Sequence, residues 1–377
     1  MTVPRLALIG TGGHGRGHLA QGIRLHDDGA VRLVAVADPH PPAAEDLPHG
    51  VRRFSSGAEL IAAVDADVAV ICTPIHTHFE LAAAALEAGM DVLLEKPTTA
   101  TLDEFDRLVA IAERTGRLVQ VGFQSLGSEA IGLIRSRVEA GEIGDVVRYS
   151  ATGAWVRSDA YWQRSAWAGR RVLDGRVVAD GVLTNPLAHA TATALALAGA
   201  SLTTSVRSLE VDLWRANDIE ADDTSVAVFT LDGGLKLTTA VTLAASEQTD
   251  PYVEVTGTAG ALRLWYTKDV VELRDAGGAV RDRTRTQRAD LLENLLAARE
   301  GREELFAPIA RTGAFMRLVD SVVEAPAPRP VSGDAVSAVD DAAGQRLVIE
   351  GIEEELDRAL RLGRTFTSLG SSFAVMS

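Results

Sequence analysis

The feature that most constrains this chain is a short apolar strand that runs directly into a glycine-rich turn, in the segment from Leu6 to Gly15. Its glycines have the spacing G-x-G-x-x-G. Gly10 permits a tight turn, Gly12 removes a side chain that would block a phosphate, and Gly15 lets the next helix lie against the strand. The N-terminus of that helix offers unpaired N–H groups to an anion. The pattern predicts a dinucleotide-binding turn, although a glycine-rich turn after a buried strand also occurs for structural reasons alone.

A second apolar segment, Val31 to Ala37, ends in Asp38. In a dinucleotide-binding unit, a carboxylate at this point accepts hydrogen bonds from the adenosine ribose hydroxyls. The same charge repels a 2′-phosphate, so NAD is favoured over NADP as the cofactor. The alternative is that Asp38 is only an acidic turn residue before Pro39.

Short apolar segments alternate with helical patterns over residues 1–123, which is typical of a parallel sheet covered on both faces. The expected strands are Leu6–Ile9, Val31–Ala37, Val68–Cys72, Val92–Leu94 and Leu118–Phe123. Thr101 and Glu104 form a capping box that opens a helix ending near Gly116. We therefore predict an N-terminal Rossmann domain of class α/β, with a doubly wound parallel sheet.

After residue 123 the pattern changes to long strands joined by hairpins. Asp232-Gly-Gly234 is a turn signal between the expected strands Ser225–Leu231 and Leu235–Leu243. Consecutive hairpins predict a C-terminal α+β domain over residues 124–377, with a large, open and mostly antiparallel sheet.

The composition narrows the function classes. The 377 residues carry a formal net charge of −15 without a basic tract, which argues against nucleic acid or an anionic membrane as partner. The single cysteine, Cys72, excludes a disulfide within the chain and favours a reducing compartment. We expect a cytoplasmic protein, because no apolar span is long enough to cross a bilayer and no charged leader precedes the first strand.

Two further strand ends carry residues suited to chemistry, because ligands of an open parallel sheet bind beyond the carboxyl ends of its strands. At the first, Thr73 and Pro74 are expected to flank the cofactor and His78 to cap a helix. His76 and His78 have the spacing of a metal-binding pair. No carboxylate or cysteine cluster accompanies them, so no metal site is predicted.

The second strand end is Glu95-Lys96-Pro97, which places an ammonium group at the same edge of the sheet as the glycine turn. The chain has only three lysines, and a lysine, unlike an arginine, can lose its proton. Lys96 is therefore a candidate to bind a substrate hydroxyl and move its proton if desolvation lowers its pKa. The alternative is a Glu95–Lys96 ion pair at the surface.

The motifs G-T-G-G-H-G at residues 10–15, T-P-x-x-x-H at 73–78 and E-K-P at 95–97 together resemble the Gfo/Idh/MocA oxidoreductases, named for glucose–fructose oxidoreductase and inositol dehydrogenase. The segment VEVTGTAG at 253–260 is similar to a strand and turn in the open sheet of that family. The resemblance implies a nicotinamide dinucleotide cofactor, a carbohydrate or polyol substrate, Lys96 as a catalytic residue, and a homodimer or homotetramer in which a second subunit covers the open sheet. The residues expected at the cofactor are Gly10, Thr11, Gly12, Gly13, His14, Gly15, Asp38, Thr73, Pro74, His78, Glu95 and Lys96.

One part of the chain departs from the family, which has an aspartate and a histidine four residues apart in the second domain. The candidate pair here is Asn185 and His189, so an amide replaces the carboxylate, and Asp180 is a second candidate for the missing charge. Asn185 is expected to cap a helix from Pro186 to about Ala198, with His189 on its first turn. A carboxylate would raise the pKa of the imidazole, whereas an amide and the helix dipole leave it neutral and able to accept a proton. The alternative is a cap and a packed core histidine.

We expect His189 to accept the hydroxyl proton as hydride leaves the same carbon for the nicotinamide, while Lys96 orients the oxygen and Asn185 hydrogen-bonds a neighbouring hydroxyl. Substrate recognition is expected at Trp162 and Arg164, because aromatic faces stack on sugar rings and arginines hold hydroxyls or a carboxylate. The predicted function is an NAD-dependent dehydrogenase of a sugar, polyol or derivative. Two alternatives stay open: a redox-neutral lyase or glycosidase-type enzyme that retains its NAD, and a non-catalytic sensor of sugar and dinucleotide.

Overall fold

A computed structural model of the chain describes residues 3–341 and 344–374. They form two compact units. The first comprises the residues up to Gly122 together with Asp290–Ala310, and the second comprises Phe123–Ala289 and the residues from Arg311 onward. None of the helices in the described ranges has the length and apolar character needed to cross a bilayer.

The first unit is built on a six-stranded parallel sheet. Its strands are β1 (Arg5–Ile9), β2 (Arg32–Ala37), β3 (Arg52–Phe54), β4 (Val68–Ile71), β5 (Asp91–Leu94) and β6 (Val119–Val121). Their order in the sheet is β3-β2-β1-β4-β5-β6, so the direction of winding reverses at β1 and opens a crevice beyond the ends of β1 and β4. The predicted Rossmann sheet is confirmed. The sequence did not indicate β3, because Arg52 and Arg53 are exposed and leave no apolar pattern.

The helices of both units follow in chain order. They are α1 (Gly15–Asp27), α2 (Gly57–Ala63), α3 (His78–Glu87), α4 (Leu102–Thr115), α5 (Ala130–Glu139), α6 (Asp159–Trp162), α7 (Ala188–Leu197), α8 (Leu291–Arg299), α9 (Gly313–Glu324), α10 (Ile352–Leu362) and α11 (Phe366–Leu369). The Thr101 cap of α4 forms as predicted, since its hydroxyl accepts from the Glu104 N–H at 3.3 Å. The Glu104 carboxylate accepts from the Ala100 N–H at 3.1 Å, one residue before the Thr101 N–H that a capping box uses. Gly116 ends the helix at φ 63°, in the left-handed region that glycine favours.

The second unit contains a large mixed sheet. Its strands, with two short hairpins, are β7 (Val146–Ala154), β8 (Val172–Leu173), β9 (Arg176–Val177), β10 (Val206–Arg215), β11 (Thr224–Leu231), β12 (Lys236–Thr242), β13 (Tyr252–Gly257), β14 (Gly260–Trp265), β15 (Val270–Asp275), β16 (Val280–Arg285), β17 (Arg329–Pro330), β18 (Val336–Asp341) and β19 (Gly344–Ile349). Nine of them form the sheet β16-β15-β14-β13-β7-β12-β11-β10-β17. Only the β7–β12 and β10–β17 neighbours run parallel, so the predicted, mostly antiparallel sheet is confirmed.

Two helices pack on opposite faces of the middle of this sheet. On α7, the Thr191 hydroxyl donates to Thr239 of β12 at 3.1 Å. On α10, Leu356 lies in one hydrophobic core with Ala240, the next residue of β12. Successive residues of a strand point to opposite faces, so α7 and α10 cover different sides. The centre of the sheet is thus covered within the unit itself, while the assembly of subunits stays a prediction.

Helix α8 belongs to the first unit, although the predicted boundary assigned residues 124–377 to the second domain. Four leucines of α8 share a hydrophobic core with Leu6 of β1 and Val70 of β4. These leucines are Leu291, Leu292, Leu295 and Leu296. In the same segment the buried Gln120 side chain donates to Asn294 at 2.6 Å and accepts from the Ala307 N–H at 2.9 Å. A hydrophobic pattern shows which face of a helix is buried but not which core it joins, and this explains the difference.

Truncation of one buried leucine side chain of α8 tests whether this helix packs in the core of the first unit. Leu295 is 0 % exposed, so Leu295→Ala leaves a cavity and lowers the free energy of unfolding by about 2–5 kcal/mol. Urea unfolding followed by far-UV circular dichroism measures this loss. The control is Leu202→Ala, because Leu202 is 47 % exposed and its truncation costs less than about 0.5 kcal/mol. Equal losses in the two variants would contradict the burial of α8.

Candidate functional site

The glycine turn after β1 is packed too closely for any other residue at two positions. Gly10 has φ +89°, and a Cβ there would lie 2.0 Å from the carbonyl oxygen of Cys72. A Cβ at Gly15 would lie 2.2 Å from the carbonyl oxygen of Gly10. At Gly12, by contrast, a Cβ would meet only Asp38, at 3.8 Å, and at Gly13 nothing within 4 Å. The turn is therefore tightly packed at Gly10 and Gly15, where it meets β4 and α1. On the other side, at Gly12 and Gly13, it leaves space for a ligand.

Asp38, directly after β2, holds this turn. Its carboxylate accepts from the N–H groups of Thr11 at 2.8 Å and Gly12 at 3.2 Å, and from the N–H of His40 at 2.9 Å. Partial burial alone would raise the pKa of Asp38, but these hydrogen bonds hold it below its usual value. Asp38 is thus a negative charge fixed beside the glycine turn.

His78 links the segments that follow β4 and β5. It is 1 % exposed, with Nδ1 2.8 Å from the Pro97 carbonyl oxygen and Nε2 2.8 Å from that of Thr73. Burial lowers the pKa of the imidazole. The expectation that His78 caps a helix is wrong, since it is the first residue of α3 and both its ring nitrogens face carbonyl groups. Its role in the first unit is to hold the Thr73 and Pro97 segments together.

Glu95, which follows β5, is a buried carboxylate surrounded by imidazoles. Its Oε1 lies 2.8 Å from Nε2 of His18 and 3.4 Å from Nε2 of His14, and its Oε2 accepts from the Lys96 N–H at 3.1 Å. Burial alone would raise the pKa of Glu95, but the contacts with His14 and His18 hold it well below its usual value. The side chain is 8 % exposed, which argues against the alternative of a surface ion pair with Lys96.

His189 lies on the first turn of α7 in the second unit, as predicted, and is half-buried. Its Nδ1 is 3.4 Å from the Ser125 hydroxyl, which accepts from Thr193 at 2.8 Å. The ring of Phe123 meets the imidazole edge to face at a centroid distance of 5.7 Å. These contacts fix the Nδ1 side and the plane of the ring.

Asn185 does not cap α7, and that expectation is wrong. The helix begins at Ala188, and its capping position, Leu187, makes no side-chain hydrogen bond. The Asn185 amide instead donates to Asp180 at 2.6 Å. The turn before α7 is closed by backbone hydrogen bonds, from the Leu187 N–H to Val182 at 3.1 Å and from the Ala188 N–H to Asn185 at 3.3 Å, so the helix begins beyond the position that Asn185 would cap.

The carboxylate of Asp180 is the centre of this cluster. It accepts from Arg164 at 2.7 Å and from the Gly169 N–H at 2.8 Å, in addition to Asn185. Its side chain is 2 % exposed, and this burial raises its pKa although Arg164, Asn185 and Gly169 act in the opposite direction. The guanidinium of Arg164 also lies over the rings of Tyr161 at 3.8 Å and Trp167 at 4.7 Å.

Trp162 lies against the ring of Tyr161 at a centroid distance of 4.9 Å. Its Nε1 is buried and, among the described residues, has no hydrogen-bond partner. Unlike Arg164, Trp162 therefore has a donor that no described residue accepts from.

Comparison with models of protein families assigns a known domain type to a segment of each unit. Residues 4–123 match the model described as an oxidoreductase family with an NAD-binding Rossmann fold, and residues 132–263 match the Gfo/Idh/MocA C-terminal domain. The chain belongs to the Gfo/Idh/MocA oxidoreductase family. Its first unit is accordingly an NAD-binding Rossmann domain.

Individual relatives agree with this assignment. Inositol 2-dehydrogenase 3 of Saccharopolyspora erythraea is 36% identical over 147 residues, which are 38% of this chain and 43% of that protein. The putative UDP-kanosamine synthase oxidoreductase subunit of Amycolatopsis mediterranei is 28% identical over 276 residues, or 69% of this chain and 74% of that protein. The chain thus spans less than half of the inositol dehydrogenase that it matches.

Solved structures show the same fold. The WlbA dehydrogenase of Bordetella pertussis, in complex with NADH and UDP-GlcNAcA, aligns with a TM-score of 0.69 and 24% identity over 85% of this chain and 95% of that one. A levoglucosan dehydrogenase in complex with NADH aligns with a TM-score of 0.70 and 20% identity over 86% of this chain and 96% of that one.

The glycine turn of this Gfo/Idh/MocA protein fits a dinucleotide. Its outer side is open at Gly12 and Gly13, and it lies at the start of α1, where backbone N–H groups and the helix dipole favour an anion. The carboxylate of Asp38 stands beside it, which suits ribose hydroxyls and disfavours a 2′-phosphate. Gly10, Thr11, Gly12, Gly13 and Asp38 are therefore the residues suited to hold the cofactor.

One residue of this site escaped the sequence analysis. His18 contacts Glu95 directly, but it lies three residues beyond the end of the glycine motif at Gly15. The signal was present, because His14 and His18 have the H-x-x-x-H spacing that places two imidazoles on one side of a helix.

Removal of the Asp38 charge tests the cofactor preference. Asp38→Asn keeps an acceptor for the Thr11 and Gly12 N–H groups but no longer repels a 2′-phosphate, so the ratio of the NADPH to the NADH dissociation constant falls by about tenfold or more. Fluorescence titration with each dinucleotide measures the ratio. Asp46→Asn, at an exposed residue of the same unit, leaves it unchanged. An unaltered ratio in Asp38→Asn would refute the assigned role.

Proposed function

We propose that this protein is an NAD-dependent dehydrogenase that oxidises a secondary alcohol of a neutral sugar or cyclitol. The observation that carries the proposal is the position of Lys96 in the first unit. It follows β5 directly, at the edge of the sheet where the glycine turn follows β1. An ammonium group at the cofactor edge of a Rossmann sheet is suited to bind the oxygen of a reacting alcohol.

The proposed chemistry needs two protein groups in addition to the cofactor. NAD, when bound, supplies the hydride acceptor. The Lys96 ammonium donates to the alcohol oxygen and stabilises the negative charge that develops on it. His189 accepts the hydroxyl proton, and its contacts with Ser125 and Phe123 hold the ring for this task. The proposal requires that Lys96 and His189 act on the same alcohol.

Asn185 is proposed to bind a neighbouring hydroxyl, and Asp180 decides which atom it uses. An ionised carboxylate only accepts hydrogen bonds, so it selects the amide orientation in which Nδ2 faces Asp180 and Oδ1 lies away from it. In that orientation the amide oxygen takes the place of one oxygen of the family's aspartate. The negative charge of this cluster is carried by Asp180, which is paired with Arg164 at 2.7 Å.

The preference for a neutral substrate follows from the arginines of the aromatic segment, residues 155–170. Arg164 is paired with Asp180, and Arg170 is paired with Glu220 at 2.5 Å. Arg157 lies over the ring of Trp155 at 4.7 Å and donates to Gln248 at 3.3 Å. With these cations engaged by the protein, the segment offers partly exposed aromatic rings, which suit a polyhydroxylated ring without charge.

Turnover of candidate substrates tests the function. The full chain is incubated with NAD and with myo-inositol, scyllo-inositol, levoglucosan or UDP-N-acetylglucosamine, and NADH formation is followed by absorbance. NADH formation with a neutral ring supports the proposal. Bond cleavage without net NADH would favour the redox-neutral lyase, and ligand binding without any turnover would favour the sensor. A strict requirement for the UDP-sugar would contradict the neutral substrate class.

Two substitutions test the catalytic roles. Lys96→Ala removes the cation at the oxygen and His189→Ala removes the proton acceptor, and each lowers kcat by about 10²-fold or more. Steady-state kinetics with the best substrate of the panel measures the loss. Lys268→Ala is the matched control, since this exposed lysine pairs with Asp250 at the surface. A decrease in kcat as large in Lys268→Ala as in Lys96→Ala would contradict the assignment.

Replacement of Asn185 by aspartate tests whether this side chain interacts with Asp180. Asn185→Asp places two carboxylates at hydrogen-bond distance, so they share a proton and one pKa rises. A carboxyl group whose folded pKa is raised binds its proton more tightly in the folded state, so the stability of Asn185→Asp falls as pH rises through that pKa. Thermal unfolding between about pH 5 and pH 8 measures this loss.

The double variant D180N/N185D is the control for this exchange. It keeps one amide and one carboxylate in contact, and we expect the pH dependence of its stability to return towards that of the unaltered chain. A pH dependence as steep as that of Asn185→Asp alone would show that the two side chains are not coupled.

A further inference from the structure

Three potential metal ligands meet beside the glycine turn, within the first unit. His14 belongs to the turn, His18 lies one helical turn later on α1, and Glu95 follows β5. Their ligand atoms all lie within 4.8 Å of one another. The two imidazoles approach the same carboxylate oxygen, at 3.4 Å from His14 and 2.8 Å from His18.

The donor set is that of a transition-metal site. Two histidines four residues apart at the start of a helix present both imidazoles to one side, and a carboxylate supplies the third ligand. Bonds of about 2.0–2.1 Å in a tetrahedral arrangement place neighbouring donor atoms about 3.3 Å apart. The His14–Glu95 separation of 3.4 Å matches this value, and the His18–Glu95 separation of 2.8 Å widens when an ion enters. Imidazole nitrogens favour zinc and its neighbours over magnesium or calcium, which prefer oxygen.

The carboxylate is already fixed in place. Its second oxygen accepts from the Lys96 N–H at 3.1 Å, and a Cβ at Gly122 would lie 2.7 Å from the carboxyl group, so the side chain is closely confined. The His18 side chain is 10 % exposed, whereas that of His14 is 67 % exposed. The carboxylate is thus buried and the His18 side chain largely enclosed, whereas the His14 side chain is accessible to solvent.

We propose that His14, His18 and Glu95 bind one divalent transition-metal ion per chain, with zinc as the preferred ion. The ion replaces the direct imidazole–carboxylate contacts and takes solvent as its fourth ligand. The competing explanation is that these three side chains form only hydrogen bonds with one another. His14 decides between the two, because an exposed side chain adds little to a structural hydrogen bond but is needed to complete three-ligand coordination.

Metal titration of the untagged full chain tests the site. The protein is freed of metal with a chelator and titrated with Co²⁺, which gives the visible absorption of a tetrahedral nitrogen and oxygen site, and with Zn²⁺ by calorimetry. We expect one ion per chain, and an affinity for Zn²⁺ at least about tenfold lower in His14→Ala. His49→Ala removes an exposed histidine of the same unit and leaves the affinity unchanged.

Three results would overturn the proposal. They are the absence of stoichiometric binding, an affinity that His14→Ala does not alter, and displacement of Co²⁺ by an equal concentration of Mg²⁺. Circular dichroism of His14→Ala establishes that the variant is folded, and the exposure of this side chain predicts that it is.

Discussion

The structure of the first unit depends on a contact that leaves no space for a side chain between the glycine turn and the end of β4. The Cys72 carbonyl oxygen occupies the place that a Cβ of Gly10 would need, and the Cys72 N–H donates to Ile9 at 2.8 Å. The same pattern continues across the sheet, because Glu95 N–H donates to Ile71 at 2.9 Å and Gly122 N–H to Leu94 at 2.7 Å. The residues that follow β1, β4, β5 and β6 are therefore aligned in one row. This row brings Glu95 to the histidines of the turn and Lys96 to the cofactor edge.

The sequence was sufficient for features that depend on local patterns. The buried strands of the first unit, the helix cap at Thr101 and the hairpin after Leu231 each combine a short motif with a matching hydrophobic period. Features that depend on a distant partner could not be predicted in this way. Helix α8 has an apolar face that would suit either core, and the choice is made by contacts with Leu6 and Gln120, far away in the sequence.

The same limit explains the error at Asn185. An asparagine before a proline is a strong local signal for a helix cap. Asp180 is five residues earlier and in a different turn, and its contact with the Asn185 amide is one that the local signal did not indicate. Helix α7 begins only at Ala188, so Asn185 does not lie at its capping position. The amide at 185 and the carboxylate at 180 form one hydrogen-bonded unit, which a comparison of single positions does not show.

At the candidate site, each unit contains a buried carboxylate whose hydrogen-bond and charge partners belong to that same unit. In the first, Glu95 is stabilised by His14 and His18, and in the second Asp180 is stabilised by Arg164 and Asn185. A buried carboxylate without such partners would be protonated or would seek solvent, and the groups around it would lose their fixed positions. Because the partners belong to the same unit in both cases, the orientation of these side chains is set when each unit folds. Preorganisation of this kind lowers the cost of binding, since little conformational freedom is left to lose when a ligand arrives.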